Sequence, residues 1–169
     1  MTYKIIGDSC LDLTEDMKKD PRFQMIPLTL QVGSAQVVDD ETFDQKRFIE
    51  MVKACPECPK TACPSPETFK AAFEEAEAEA VFVITLSSHL SGSYNSAAVA
   101  KKLYEEEMAE KGMAEQAKKV AVIDSLSASS GELNIALFIQ NLCDSGLEFD
   151  EVVEKTLSLI HISEPTRPY

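Results

Sequence analysis

Short apolar runs that end in turn residues recur along the chain. They cover 3–6, 25–32, 80–86 and 120–123, and each is followed by glycine, serine or aspartate. The run AVFVITL at 80–86 is continuous and too short for a helix, which is typical of a parallel strand covered on both faces. We therefore predict four buried strands, each ending in a turn.

Segments with helical spacing of apolar residues lie between and after these runs. We predict helices over 42–54, from Pro66 onward with Ser65 as N-cap, and over 94–111, 131–143 and 149–157. Prolines or glycines end several of them. Because strands alternate with helices, we expect an α/β fold, a parallel sheet flanked by helices on both faces.

Charge and composition exclude several classes of protein. The chain has 169 residues with 29 acidic and 16 basic side chains, a formal net charge of −13. Nucleic-acid binding needs clustered lysine and arginine, so we expect no nucleic-acid partner, and no electrostatic docking on anionic lipid. No apolar stretch approaches the length of a transmembrane segment, and no signal peptide is visible. We expect a cytoplasmic protein.

The cysteines are the first candidates for chemistry. Three of the five lie in CPECPKTAC at 55–63, and the others are Cys10 and Cys143. A structural zinc site needs four ligands, and no second C-x-x-C or histidine pair follows. An odd number of cysteines without an export signal also argues against a disulfide framework. We expect reduced thiols and no bound metal.

The segment SSHLSGSYNS at 87–96 is the strongest candidate for binding. It follows a predicted buried strand and leads into a helix, whose free N–H groups and positive dipole end suit an anion. No Asp or Glu occurs from Phe82 to Tyr104, where the average composition would place about four. Ligands of open parallel sheets lie at such strand ends, so we predict an anion site here, with helix capping as the alternative role of the serines.

Several catalytic arrangements are missing from the sequence. Neither a phosphate-binding G-x-x-x-x-G-K-[ST] nor G-x-G-x-x-G occurs, and the nucleophile elbow G-x-S-x-G is absent. His89 is the one histidine before position 161, and we interpret it as a surface residue. Hydroxyls without a base or metal suit holding an anion better than attacking one. The alternative is a small-substrate kinase or hydrolase that uses the serine loop as a phosphate or oxyanion cradle.

Four motifs in order resemble the DegV family. They are GDSCLDL, PKTACPSPETF, VITLSSHLSGSYNSA and VAVIDS, spread over residues 1–157. The resemblance implies binding of one long-chain fatty acid, with no catalysis and no cofactor. In bacteria such proteins present the acid to a separate fatty-acid kinase subunit. By resemblance Thr61 and Ser91 bind the carboxylate, and Gly92 and Ser93 frame it.

The chain departs from the family pattern at two places and in its length. Ala62 and Cys63 replace a usual polar pair, and Ser93 stands where threonine is common, although Thr61 and Ser91 keep their hydroxyls. Family members are nearly twice as long. We therefore expect residues 1–157 to be the N-terminal domain, with the C-terminal domain absent. We expect 158–169, which end in HISEPTRPY, to be a non-native or disordered tail.

Overall fold

The computed structural model describes the backbone of residues 1–163 and the side chains of residues 1–162. Its centre is a sheet of four parallel strands: β1 (Tyr3–Asp8), β2 (Phe23–Ile26), β6 (Ala80–Thr85) and β7 (Lys119–Asp124). Their order in the sheet is β2-β1-β6-β7. Every pairing in this sheet is parallel, as the alternation of strands and helices predicts.

Helices cover both faces of the sheet, which confirms the predicted fold class. They are α1 (Gln45–Ala54), α2 (Pro66–Glu75), α3 (Ser93–Glu110), α4 (Ser130–Asp144) and α5 (Phe149–Ser163). Two single 3-10 turns, at Met17–Lys19 and Ala114–Gln116, complete the helical elements of the described chain. Ser65 caps α2 by accepting a hydrogen bond from the Thr68 N–H, with Pro66 in the first turn, as predicted.

Alternate residues of the strands build two separate cores. On one face, Ile5, Phe82 and Ile123 pack with side chains of α4 and α5. On the other face, Val81 and Val83 pack with side chains of α2 and α3. All six residues of β6 are buried, since this strand lies between β1 and β7 and is covered on both faces.

A second, antiparallel sheet was not predicted. It contains β3 (Thr29–Val32), β4 (Ala35–Val38) and β5 (Lys60–Ala62), in the order β4-β3-β5. The single strand predicted over 25–32 is therefore wrong. Pro27 lies at the break, and because proline has no N–H to donate to a ladder, β2 ends before it and the chain continues into another sheet.

The last helix extends past the predicted end of the domain. Helix α5 continues to Ser163, and Ile160 is 3% exposed and packs in the core of α4 and α5. The expectation that a disordered tail begins at residue 158 is therefore wrong for 158–163, whose backbone is helical. The non-native origin of the tail stays a prediction, and 164–169 lie outside the described residues.

Candidate functional site: a serine loop above two buried carboxyl groups

Three loops meet at the carboxyl ends of β1, β6 and β7. The Leu86 N–H donates to Asp8 Oδ2 at 2.9 Å, which joins the loop after β6 to the end of β1. The Ser88 N–H donates to Asp124 Oδ1 at 3.0 Å, which joins the same loop to the end of β7. Parallel strands place their carboxyl ends at one edge, and this is the edge where ligands of open α/β sheets bind.

Ser91, Gly92 and Ser93 form the predicted serine loop at the start of α3. The Oγ atoms of Ser91 and Ser93 are 3.0 Å apart, and the Ser93 N–H donates to Ser91 Oγ at 3.2 Å. Ser93 is fully buried, whereas Ser91 is only partly buried. Gly92 is the N-cap of α3 and offers no side chain to it, so the dipole end of an 18-residue helix faces this loop.

The segment that carries Thr61 lies against the serine loop. A Cβ atom at Gly92 would be 3.0 Å from Cys63 Sγ, so only glycine fits here without displacing the thiol. Cys63 Sγ also lies 3.7 Å from Ser96 Oγ, in the first turn of α3. Two residues earlier, Thr61 pairs with Leu30 in the small sheet and its side chain is exposed.

The four predicted binding residues thus fall into one region. Ser91, Gly92 and Ser93 are contiguous, and Cys63 connects the Thr61 segment to them. Among the described contacts, however, no hydrogen bond joins the Thr61 side chain to Ser91 or Ser93. A shared role of Thr61 and Ser91 toward one carboxylate stays a prediction.

Asp8 lies directly beneath the serine loop. It is fully buried, and its carboxyl accepts hydrogen bonds from the Cys10 and Leu86 N–H groups at 3.1 and 2.9 Å. The nearby Ser93 hydroxyl also favours the ionised form of this carboxyl and lowers its pKa. Burial raises the pKa of Asp8 above its usual range, and the hydrogen bonds offset part of this increase. In the sequence Asp8 is part of the polar turn after the apolar run 3–6, and a charged residue this close to the end of a buried strand was a usable signal.

Glu132 is a second buried carboxyl group, and sequence reasoning missed it. Its Oε1 accepts a hydrogen bond from the Ser129 N–H at 3.2 Å, while Oε2 has no partner among the described residues. Burial, and then the negative charges of Asp8 and Asp12, raise its pKa to about 9. The spacing Ser129-x-x-Glu132 is a capping box, the pattern from which this contact was predictable.

Asp8, Cys10 and Glu132 bring three possible metal ligands together. One ligand atom from each lies within 4.8 Å of the others. The Asp8 oxygens already accept protein N–H groups, and burial raises the pKa of the Cys10 thiol to about 12, so the thiol is neutral. The thiols of CPECPKTAC form no such group in the described part of the chain. The absence of a bound metal stays a prediction.

A large apolar side chain is exposed beside this region. Leu90, which directly precedes Ser91, is 72% exposed. His89, next to Leu90, is also exposed, in agreement with its interpretation as a surface residue. Within the described residues, no helix combines the length and apolar character needed to cross a bilayer.

The fold is an open parallel α/β sheet with a serine-lined helix N-terminus at its carboxyl edge, the edge at which ligands of such sheets bind. The chain belongs to the DegV family, since the family model described as "Uncharacterised protein, DegV family" matches residues 2–163. DegV domain-containing proteins of Streptococcus gordonii and Streptococcus pneumoniae R6 are each 40% identical to it, over 158 and 157 residues. The alignments cover 92% and 91% of this chain but 53% and 52% of those proteins, so the chain spans about half their length.

Solved structures with the same fold carry fatty acids. A DegV family protein of Ruminococcus gnavus, described with vaccenic acid, is 41% identical with a TM-score of 0.87, over 95% of this chain and 55% of that one. The Streptococcus pneumoniae Fatty Acid Kinase (Fak) B3 protein loaded with linoleic acid is 36% identical with a TM-score of 0.81, over 95% and 55%. A Thermus thermophilus DegV family protein, described for fatty-acid binding, is 26% identical with a TM-score of 0.79, over 95% and 54%.

Proposed function

We propose that this chain binds a long-chain fatty acid by its carboxylate and presents it to a fatty-acid kinase subunit, without catalysis of its own. The observation that carries the proposal is the serine loop at the N-terminus of α3. It supplies hydroxyl and N–H donors, carries no acidic side chain, and lies at the ligand edge of a fold whose solved relatives are described with fatty acids.

In this proposal Ser91 and Thr61 donate hydrogen bonds to the carboxylate. Ser91 is the partly buried member of the serine pair, and Thr61 is exposed on β5, so both hydroxyls are accessible to a ligand. Gly92 allows the backbone to approach closely, and Ser93 supports Ser91 from the buried side. A carboxylate held this way needs no metal or other cofactor.

We propose further that the chain acts as the first half of a two-domain protein. It spans about half of its relatives, and the exposed side chain of Leu90 beside the serine loop is suited to line an acyl chain that a second domain would cover. The kinase partner is proposed from the Streptococcus pneumoniae relative, whose description names fatty-acid kinase. We place the protein in the cytoplasm, where a kinase finds its nucleotide.

Mass spectrometry of extracted lipid tests this function. A two-domain protein that carries this chain as its first half is purified from cells, and its lipid extract is compared with that of the same protein carrying Ser91→Ala. The matched control is Ser88→Ala, in the same loop, whose recorded contact is made through its backbone N–H. We expect about one fatty acid per protein in the wild type and in the control, and much less in Ser91→Ala. A protein free of lipid that binds inorganic phosphate would instead support the phosphate-cradle alternative.

A further inference from the structure

Cys63 and Gly92 connect the strand that carries Thr61 to the serine loop. A Cβ atom at position 92 would be 3.0 Å from Cys63 Sγ, and the same sulfur lies 3.7 Å from Ser96 Oγ, where either atom can donate a hydrogen bond. The sulfur therefore lies against the first turn of α3. Among the described residues, the recorded side-chain contacts between 60–63 and this helix start all pass through Cys63.

The backbone is held in place on both sides of Cys63. The preceding residue, Ala62, pairs with Thr29 in the antiparallel sheet. The following residue, Pro64, is buried, and a proline restricts the residue before it to extended backbone. The thiol therefore cannot yield by a backbone shift without breaking these contacts, and a rotation of its side chain would give up the contact with Ser96.

Position 92 requires glycine because of this thiol and not because of its own backbone. The φ of Gly92 is −77°, a negative value that residues with a side chain adopt without strain. The obstacle to a side chain is Cys63 Sγ, since 3.0 Å is well inside the separation of about 3.5–4.0 Å at which apolar atoms pack. The two positions, which lie on separate elements, are thus complementary in size.

The contact between Cys63 and Gly92 bears on the distance between two proposed donors. Among the described contacts no hydrogen bond joins the Thr61 side chain to Ser91, so their relative position depends on what holds their segments together. Cys63 follows Thr61 closely in the chain, and Gly92 directly follows Ser91. We propose that Cys63 is a positioning residue that, through Gly92, sets the spacing of the Thr61 and Ser91 hydroxyls so that both reach one carboxylate. This inference rests on the proposed function and deepens it.

A small displacement at this contact affects an acid more than an alcohol. An O–H···O hydrogen bond to an anion is about 2.5–2.7 Å long and weakens away from that geometry. A carboxylate has two oxygens and engages both hydroxyls, so its affinity depends on their spacing. The uncharged single oxygen of a fatty alcohol gains little from a second donor, so its affinity depends much less on that spacing.

The test is the ratio of acid affinity to alcohol affinity at equal chain length, measured by calorimetry in the two-domain protein. Gly92→Ala places a methyl group against the sulfur, and Cys63→Ala removes the sulfur. We expect each single variant to lower the ratio by about three- to tenfold, less than the loss of a donor hydroxyl.

The double variant, Gly92→Ala with Cys63→Ala, separates this role from simple obstruction of the ligand. The methyl group at position 92 then has the space that the sulfur leaves, so we expect a ratio within about twofold of the wild type, a strong departure from additivity. If the methyl group obstructed the ligand directly, removal of the sulfur would not restore the ratio, and the role of Cys63 would be refuted.

Two further variants complete the comparison. Cys58→Ala is the matched control, since Cys58 is an exposed thiol in the same segment, and it should keep the wild-type ratio. Cys63→Ser keeps an atom where the sulfur lies and should keep most of the ratio. If Gly92→Ala does not fold, Cys63→Ala and Cys63→Ser decide alone.

A wild-type ratio in both single variants, even with a lower melting temperature, would show that Cys63 and Gly92 serve packing alone and would overturn the inference. The proposed function would survive that result, because the wild type would still prefer the acid. A wild type that never prefers acid over alcohol would refute the proposed function itself, and with it this inference.

Discussion

At the scale of single residues, the main cost of this site is the burial of two carboxyl groups. Asp8 accepts hydrogen bonds from two N–H groups, whereas Glu132 accepts one through Oε1 and leaves Oε2 without a partner in the described chain. A buried carboxyl without full hydrogen bonding is far less costly when neutral. The raised pKa values of both groups reflect this cost.

The titration of Glu132 should appear in the stability of the protein. Its pKa is raised from 4.5 to about 9 on folding, so Glu132 ionises at a lower pH in the unfolded chain than in the folded one. Its contribution to the free energy of unfolding is therefore complete below pH 4.5 and is lost as the pH rises toward about 9. We expect Glu132→Gln to flatten the decrease in the free energy of unfolding over this range, measured by denaturant titration. Glu151→Gln, which removes an exposed carboxylate with the same capping contact, is the control and should keep the wild-type slope. If the free energy of unfolding of Glu132→Gln decreases with pH as steeply as that of the wild type, Glu132 is not the group that causes the decrease.

At the scale of elements, helix α5 contributes to the core through its last turns. Ile160 packs beneath the sheet, whereas His161 and Ile162 are exposed and the His161 ring contacts only the Leu157 carbonyl among the recorded contacts. The family match to residue 163 covers the same helix. Ile160 and the residues that follow it should therefore differ sharply in what they contribute to stability.

We expect Ile160→Ala to lower the melting temperature by several degrees, because removing a buried isoleucine side chain costs about 2–5 kcal/mol. Deletion of 161–169 should change it by less than about 1 °C, since it leaves the buried side chain in place. Thermal unfolding followed by circular dichroism compares the two. A loss of several degrees on the deletion would show that the last residues are packed.

The elements also show what the sequence could and could not predict. The strand at 80–85 and the cap at Ser65 were predictable, since an apolar run of strand length and a Ser-Pro helix start are local signals. The small antiparallel sheet was not, because β3 and β5 are distant in sequence and the strand Lys60–Ala62 is exposed and has no apolar pattern. The serine loop was predictable from composition, whereas the placement of Asp8 beneath it depends on the register of two parallel strands.

At the scale of the whole molecule, this chain spans about half the length of its relatives, and the proposed carboxylate site lies at one edge of its sheet. Its net charge of −13 disfavours self-association, yet Leu90 beside the serine loop and Leu137 on α4 are both large, apolar and exposed. In the proposed two-domain protein, the second domain would cover the exposed side chain of Leu90.

We therefore expect the 169-residue chain to bind a hydrophobic dye and to self-associate more than the two-domain protein does. Dye fluorescence and analytical ultracentrifugation measure these properties. Leu90→Ser should reduce dye binding by the isolated chain, while Ile162→Ser, an equally exposed position far from the loop in sequence, should leave it nearly unchanged. A monodisperse chain that ignores the dye would count against a covering domain.

The central claim is that Ser91 and Thr61 hold the carboxylate of a fatty acid, and one comparison of affinities tests it most directly. In the two-domain protein, calorimetry measures the binding of a fatty acid and of the alcohol of equal chain length, at the pH of strongest acid binding. Because a hydrogen bond to an anion contributes about 1.5–3 kcal/mol, Ser91→Ala and Thr61→Ala should each weaken acid binding by about 10- to 100-fold and barely change alcohol binding. Ser88→Ala should bind both ligands like the wild type. If the preference for acid over alcohol survives in both Ser91→Ala and Thr61→Ala, the carboxylate site is not where we place it.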